Sequence, residues 1–327
     1  MSNGDRILLC PGQGAQKVGM GHEWAASHPA AAQTFAAADE ALDLMISGTQ
    51  VKLTDLCFNG PAESLNRTDV SQPALYTCSV ASYQGLVEAE GSPTIRACGG
   101  LSLGEWTALH LAGVIGFIDG LRLVALRGRL MQEAAEASNG SMVALIGADE
   151  DQANEVCENA AKGEILVPAN YNATGQIVIS GSQGACSRAV EVASSMGLKA
   201  TELSVAGAFH SPLMEPAAEG LAKALEEIHL STPMVPVWSN VTGEPHEGEN
   251  LDSIKKRLVE QLTSPVRWQQ CCESMVKHIE PSSEQPLEWH EMAPGTVLRG
   301  LFRRIDRKVK VQTHDAPEPS ATPESTS

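Results

Sequence analysis

The pentapeptide Gly100-Leu101-Ser102-Leu103-Gly104 constrains this chain more than any other stretch. It follows the short apolar run Ile95–Cys98 and leads into a segment carrying Trp106, Leu109 and Gly113, so the serine stands between glycines at a strand-to-helix turn. One reading is a nucleophile elbow. There the glycines permit a sharp turn and keep bulk away from Oγ, and the helix N-terminus offers N–H groups to a developing oxyanion. The other is a Gly-rich turn in which the serine merely caps a helix. The pentapeptide by itself leaves both open.

At 327 residues the chain exceeds one average domain, so one large domain with an insertion, or two domains, is expected. No apolar run is long enough to span a membrane. Met1–Asp5 has no basic segment followed by an apolar one, and a cytoplasmic protein is expected. Cys10, Cys78 and Cys98 sit inside apolar runs as small hydrophobes, and Cys271-Cys272 are adjacent. With no Cys-x-x-Cys or His-x-x-x-His spacing, a zinc or disulfide framework is not expected. A net charge of −17 argues against general nucleic-acid binding and favours solubility. One local reversal stands out, with Arg299, Arg303, Arg304, Arg307, Lys308 and Lys310 set against Asp306. It reads either as a solvated helix face or as a dock for an acidic partner.

Taken in order, Arg6–Cys10 is a buried-strand candidate and Pro11–Gln16 the loop leaving it. The loop lacks the Gly-Lys-Ser/Thr of a phosphate cradle, and Lys17 stands where a dinucleotide fingerprint needs glycine, so nucleotide binding is disfavoured. Helical patterns follow over Met20–Trp24, Ala30–Leu44, Pro61–Leu65 and Gln72–Glu88. Beyond the serine, Gly120–Ala137 is a helix in which Leu123, Leu126, Leu130, Met131 and Ala134 form one apolar arc. Arg127 falls in the middle of that arc. A guanidinium there costs several kcal/mol unless it meets an anion or a hydrogen-bonding network. A structural pair with a buried carboxylate and a fork for a substrate carboxylate both fit.

Residues 140–205 read as strand Met142–Ile146, helix Asp151–Ala161, strands Ile165–Val167 and Gln176–Ser180, helix Gln183–Met196 and strand Lys199–Val205. That β-α-β-β-α-β order is ferredoxin-like. The larger α/β pattern precedes and follows it, which makes it an insertion, with a site expected in the cleft between the two parts. The chain returns through Gly207–Pro212, where His210 occupies an irregular connection. Strand Val235–Asn240, helix Leu251–Leu262, a strand leading through Glu288–Pro294 and helix Leu298–Ile305 complete the expected elements. The fold class is therefore α/β. A large α/β-hydrolase-like domain (1–138 and 206–311) surrounds a central, mostly parallel sheet, with an inserted ferredoxin-like subdomain (139–205) and a disordered tail (312–327) rich in Pro, Ser, Thr and Glu.

Collected in order, these residues resemble the malonyl-CoA:acyl-carrier-protein transacylases of fatty-acid synthesis, and more widely the acyltransferase domains of polyketide synthases. The similarity runs from about Ile7 to about Ile305. It rests on Pro11-Gly12-Gln13-Gly14, Gly100–Glu105, Leu126-Arg127-Gly128 with Met131-Gln132, Asn170-Tyr171-Asn172 with Gln176–Gly181, and Ala208–Met214. Gln261-Leu262 before Ser264–Trp268, and Glu291 before Pro294-Gly295, complete the series. One departure is Leu101, where many members carry histidine just before the serine; its packing or polar contact is what changes.

The resemblance implies Ser102 as acyl-accepting nucleophile and His210 as its base, oriented by the backbone carbonyl of Gln261 in place of a carboxylate. It implies backbone N–H groups of Gln13 and Leu103 as the oxyanion hole, each donor worth about 3 kcal/mol in the transition state. Arg127 would bind the malonyl carboxylate, Asn170 would form part of the cleft wall, and Phe209 would crowd an α-methyl group, a discrimination of about 1–3 kcal/mol. The implied substrates are malonyl-CoA and an acyl carrier protein. Carrier proteins are usually acidic, so the basic C-terminal cluster would be the dock. No metal or redox cofactor, no membrane and no nucleic acid enter this reading, and a monomer is expected. The alternatives are transfer in trans for a polyketide pathway, a serine thioesterase or hydrolase with His278 or His290 as base, and a cleft that only binds a carrier.

Overall fold

A computed structural model of the chain describes residues 4–46, 48–248, 250–279 and 287–318. Its first strand, Asp5–Cys10, is buried along its whole length, and alternate side chains enter different cores. Leu8 and Cys10 join Trp106, Leu109 and Met292, whereas Ile7 and Leu9 join Trp238, Trp268 and Phe302. A strand apolar on both faces has to be covered on both, which is the parallel-sheet arrangement. Asp5–Cys10 lies between Thr94–Gly100 and Glu288–Met292, with Val311–His314 outermost, and all three pairings are parallel. On the first face the long helices Thr68–Glu90 and Phe117–Ala137 pack against one another.

A second four-stranded sheet is antiparallel throughout, in the order Leu166–Ala173, Gln176–Ser182, Gly140–Ile146, Lys199–Glu202. Helices Glu150–Ala161 and Gln183–Ser195 bury a separate core with it, built on Val143, Val156, Ile179 and Ala189. Asp149 starts the first of these helices with a capping box, accepting from Gln152 N at 2.8 Å while Gln152 Oε1 accepts from Asp149 N at 3.1 Å. The outer strand is tied back to the larger part of the chain: Tyr171 N donates to Val266 O at 2.9 Å and Val266 N to Ala169 O at 2.8 Å. Among the described residues no helix is long and apolar enough to cross a membrane.

The strand expected over Ile165–Val167 runs from Leu166 to Ala173, the one expected over Lys199–Val205 ends at Glu202, and three further expectations need correcting. The helix expected to run to Leu44 stops at Ala41, because Leu44–Ile46 turns back on Thr49–Val51 as a small hairpin. The strand expected over Val235–Asn240 is reduced to two isolated bridges, Cys98 to Val237 in parallel and Trp238 to Pro245 in antiparallel sense. Proline at 236 has no N–H to give, so the ladder cannot extend through it. The tail expected to be disordered from Gln312 is ordered at its start, since Val311–His314 is the edge strand of the central sheet.

Burial of Val311 and a set of hydrogen bonds hold that segment. Trp24 Nε1 donates to His314 O at 2.8 Å, Gly295 N donates to Asp315 Oδ1 at 2.7 Å, and Lys17 pairs with Asp315 at 2.6 Å. Residues 319–327 of the expected tail lie outside the described residues.

The edge strand also pairs two buried imidazoles. The rings of His290 and His314 are nearly parallel with centroids 5.0 Å apart, and Nδ1 of the first lies 2.7 Å from Nε2 of the second, an edge-to-edge hydrogen bond. Burial, reinforced by its neighbour and Arg6, brings His290 down to about 3. Burial brings His314 down to about 4. Between their ordinary value of 6.5 and about 4 the unfolded chain binds protons that the folded chain does not. Their contribution to stability is complete above 6.5 and is lost as pH falls. The expected result is a melting temperature that declines from pH 7 to pH 4.5 in the native chain and declines less steeply in His314→Gln. Equal slopes in thermal melts of the two proteins would assign the acid sensitivity elsewhere.

Candidate active site

Thr94–Gly100 ends at its carboxyl edge and Leu103–Leu111 begins three residues later, leaving Ser102 on the turn between them. The turn is sharp because the glycines let two backbones touch. A Cβ on Gly100 would stand 2.0 Å from the carbonyl carbon of Gly104, and one on Gly104 would stand 2.0 Å from the carbonyl oxygen of Cys10. Ser102 itself has φ 53° and ψ −102°, on the side of φ that L residues avoid. Asn240 holds it there: its Oδ1 accepts from Ser102 N at 2.6 Å and its Nδ2 donates to Gly100 O at 2.8 Å. The serine side chain makes no capping bond to the helix, which removes the helix-cap reading.

Ser102 Oγ instead lies 2.8 Å from His210 Nε2. His210 follows the return from the small sheet, also at positive φ (56°). Ser211 stabilises that turn, donating to Ala208 O at 2.7 Å and accepting from Leu213 N at 3.3 Å. The second ring nitrogen, Nδ1, is 2.7 Å from the backbone oxygen of Gln261, just past the helix Leu251–Glu260. A carbonyl can only accept, so Nδ1 carries the proton and Nε2 presents its lone pair to the serine hydroxyl. Burial, together with the cation of Arg127, lowers the imidazole to about 4, against an upward pull from the Gln261 carbonyl. The base is therefore neutral across the physiological range.

Arg127 is only 1% exposed, as its place on the apolar arc requires. Nη2 donates to Ser102 Oγ at 3.1 Å and to Gln261 Oε1 at 2.9 Å, and Nη1 donates to Gln72 Oε1 at 2.6 Å. Nε is buried without a partner. Burial lowers the guanidinium to about 10, while Glu105 raises it from a distance. Among the described residues its hydrogen-bond partners are neutral oxygens, so the structural ion pair with a buried carboxylate is not what the chain built.

Of the sequence-expected residues, Gln13, Leu101, Ser102, Asn170, Phe209 and His210 line one cavity of about 510 Å³. Gln13 belongs to the loop after the first strand, held to the elbow by Leu101 N donating to Cys10 O at 3.1 Å. Met142 and Val178 of the small sheet and Val297, Leu298 and Leu301 of the last helix close the other sides. The Leu103 side chain is 1% exposed and does not reach the cavity, so only its main chain can serve there. Arg127 and Gln261 do not line the cavity and reach Ser102 from its buried side.

The other histidines considered as bases are elsewhere. His278 Nδ1 meets Ser274, and His290 meets His314 and Glu288. Glu291 caps the last helix, Val297–Ile305, accepting from Leu298 N and Arg299 N at 2.8 Å each. Among the described residues no group of three or more His, Cys, Asp or Glu is placed to hold a metal ion.

Four residues were missed from the sequence: Gln72, Glu105, Asn240 and His246. Glu105 is the one with a readable signal. It is the only acid in the segment Leu103–Leu111, whose side chains are otherwise apolar or small save His110 and Trp106, and eight of whose nine residues are buried. A helix buried all round obliges its charge to find donors.

Residues 7–284 match the model of the acyl transferase domain family. The malonyl CoA-acyl carrier protein transacylase of Escherichia coli strain K12 is 42% identical over 300 residues, 91% of this chain and 92% of that protein. The Bacillus subtilis protein of the same name is 39% identical over 313 residues, covering 95% and 93%. The crystal structure of the Xanthomonas oryzae malonyl-CoA:acyl carrier protein transacylase superposes with a TM-score of 0.87 at 39% identity, covering 97% of this chain and 96% of that one. A malonyl-transacylase solved in complex with a type II polyketide acyl-carrier protein superposes with a TM-score of 0.87 at 36% identity, covering 96% of each chain.

The lowered His210 gives a pH prediction that needs no substrate. Phosphonylation of Ser102 by a fluorophosphonate should keep its full rate well below pH 6.5, where an ordinary histidine would already be protonated. In Arg127→Ala the acid limb should move up, because a cation that opposes protonation is gone. Matching limbs in the two proteins, read by intact mass against time, would remove the cation from the account.

Proposed function

Since the chain belongs to the acyl transferase domain family, we propose that it moves a malonyl group from malonyl-CoA to the phosphopantetheine thiol of an acyl carrier protein. The observation that carries this is Arg127, a buried guanidinium with neutral partners that touches the nucleophile itself. A group held that way is incomplete until an anion arrives, and a malonyl thioester brings a carboxylate a few bonds from its reacting carbonyl. Thioesters lacking the carboxylate leave the guanidinium buried and unpaired, which penalises them.

The steps balance with the residues at hand. His210 Nε2 takes the Ser102 proton as Oγ attacks the thioester carbon, and the oxyanion is met by the N–H groups of Gln13 and Leu103. Collapse of the tetrahedral intermediate breaks the C–S bond, and the imidazolium returns the proton to the CoA sulfur. The carrier thiol then attacks malonyl-Ser102 by the same route in reverse. No metal or redox group is called on. Asn170 and Phe209 bound the acyl end of the cavity, where Phe209 leaves little room for an α-methyl substituent.

In this reading residues 139–205 form a ferredoxin-like lobe inserted into a discontinuous large domain, and the crevice between them holds the acyl chain. Supporting it are the strand order of the small sheet and the cavity lining drawn from both parts. The last helix reaches the cavity with Val297, Leu298 and Leu301 and exposes Arg299, Arg303 and Arg304, placing positive charge beside the entrance. The acidic carrier docks on that face.

Mixing the protein with malonyl-CoA should yield an adduct of malonyl mass on the intact chain, absent in Ser102→Ala and formed at least about 10²-fold more slowly in Arg127→Ala. Free malonate without an adduct would mean hydrolysis, and neither product would mean a binding cleft. Reversing Arg303 and Arg304 to glutamate should raise KM for the carrier about tenfold at low salt and leave KM for malonyl-CoA alone. Unchanged carrier kinetics would move the dock elsewhere.

A further inference from the structure

Behind the serine and the histidine lies a buried polar layer that the proposed steps do not use. Glu105 is fully buried, and its two oxygens accept from three N–H donors. Oε2 takes Gln261 Nε2 at 2.7 Å and the backbone N–H of Asn240 at 2.9 Å, and Oε1 takes His246 Nε2 at 2.7 Å. Each of the first two partners has a second duty. Asn240 Oδ1 holds the amide of Ser102 in its unfavourable conformation, and the backbone oxygen of Gln261 aligns His210. The Gln261 side chain also accepts from Arg127 at 2.9 Å, so one amide stands between the guanidinium and the carboxylate.

We propose that Glu105 is a positioning residue for the transfer, holding the nucleophile through Asn240 and the base through Gln261, and giving Arg127 its counter-charge across the Gln261 amide. This rests on the acyl-transfer reading above.

Three features favour such a role over simple core filling. The carboxylate touches none of the reacting atoms, yet its contacts through Asn240 and Gln261 end on the main chain of Ser102, the far ring nitrogen of His210 and the guanidinium of Arg127. Charge compensation across an amide leaves Arg127 held but not neutralised by direct contact, so an incoming carboxylate does not have to displace a resident one. Finally, His246 occupies the far oxygen, which fixes the carboxylate's rotation and so decides which oxygen faces Asn240 and Gln261.

Glu105→Gln keeps the shape and removes the charge and one acceptor. In single-turnover acylation by malonyl-CoA, followed by intact mass, the expected maximal rate is about 10–100-fold lower, with half-saturation within about threefold of the native value. Gln261→Leu keeps the backbone carbonyl and cuts the amide link. In that background Glu105→Gln should slow acylation less than it does in the native chain, because only the path through Asn240 remains to be lost.

An unchanged maximal rate in folded Glu105→Gln, a defect confined to half-saturation, or fully additive losses in the double variant would each overturn the proposal. Should Glu105→Gln fail to fold, His246→Gln decides in its place. It is expected to slow acylation about 3–10-fold, and native-like acylation by it overturns the proposal. The two readings fail differently: a native chain that forms no Ser102 adduct defeats the transfer itself, whereas normal acylation of both variants defeats only the role given to Glu105.

Discussion

The 2.8 Å contact between Ser102 and His210 joins two residues that both sit at positive φ without being glycine. Each such backbone costs on the order of 1–3 kcal/mol and persists only where its surroundings over-determine it. Much of the surrounding fold meets that condition. The parallel sheet delivers Ser102 at a strand end, where open α/β sheets present their ligands. Glycines at 100 and 104 let the turn close against the first strand. On the other side, the return from the small sheet delivers His210, and Ser211 braces the turn that aims it.

Arg127 shows how a charge can be stored in a core without being neutralised there. The helix Phe117–Ala137 brings it to the underside of the nucleophile, and Gln72 and Gln261 accept two of its N–H groups. Its cation has two effects on the pair above. It favours the serine as an alkoxide, and it helps keep the imidazole unprotonated and ready to accept. The same guanidinium thus touches the serine hydroxyl and biases the imidazole beside it.

Much of this was legible before any coordinates. Ser102 stands in a motif whose glycines have a geometric reason, Arg127 interrupts an apolar arc, and His210 marks the point where an inserted pattern ends. Each breaks a local rule, and that is what makes it visible in the sequence. Gln72, Asn240 and His246 break none: they are polar residues in unremarkable surroundings, and only the folded chain shows that they are buried and aimed at one another. The edge strand Val311–His314 was hidden for a related reason. Its order comes from a ladder, from the single buried side chain of Val311 and from bonds to Trp24, Gly295 and Lys17, which together leave no periodic apolar pattern in the sequence. Proline at 236 erred in the opposite direction, since an apolar run that reads as a strand could not donate along its length.

The imidazole of His210 is steered by a main-chain oxygen rather than by an acidic side chain. Every amino acid carries that oxygen, so no codon change at position 261 deletes the group itself; it can only be displaced by disturbing the turn that bears it. Where a carboxylate orients a base, a single replacement abolishes the contact outright. Here the contact is insured against point mutation, and it is vulnerable instead to insertions or deletions that shift the register of the segment after Leu251–Glu260.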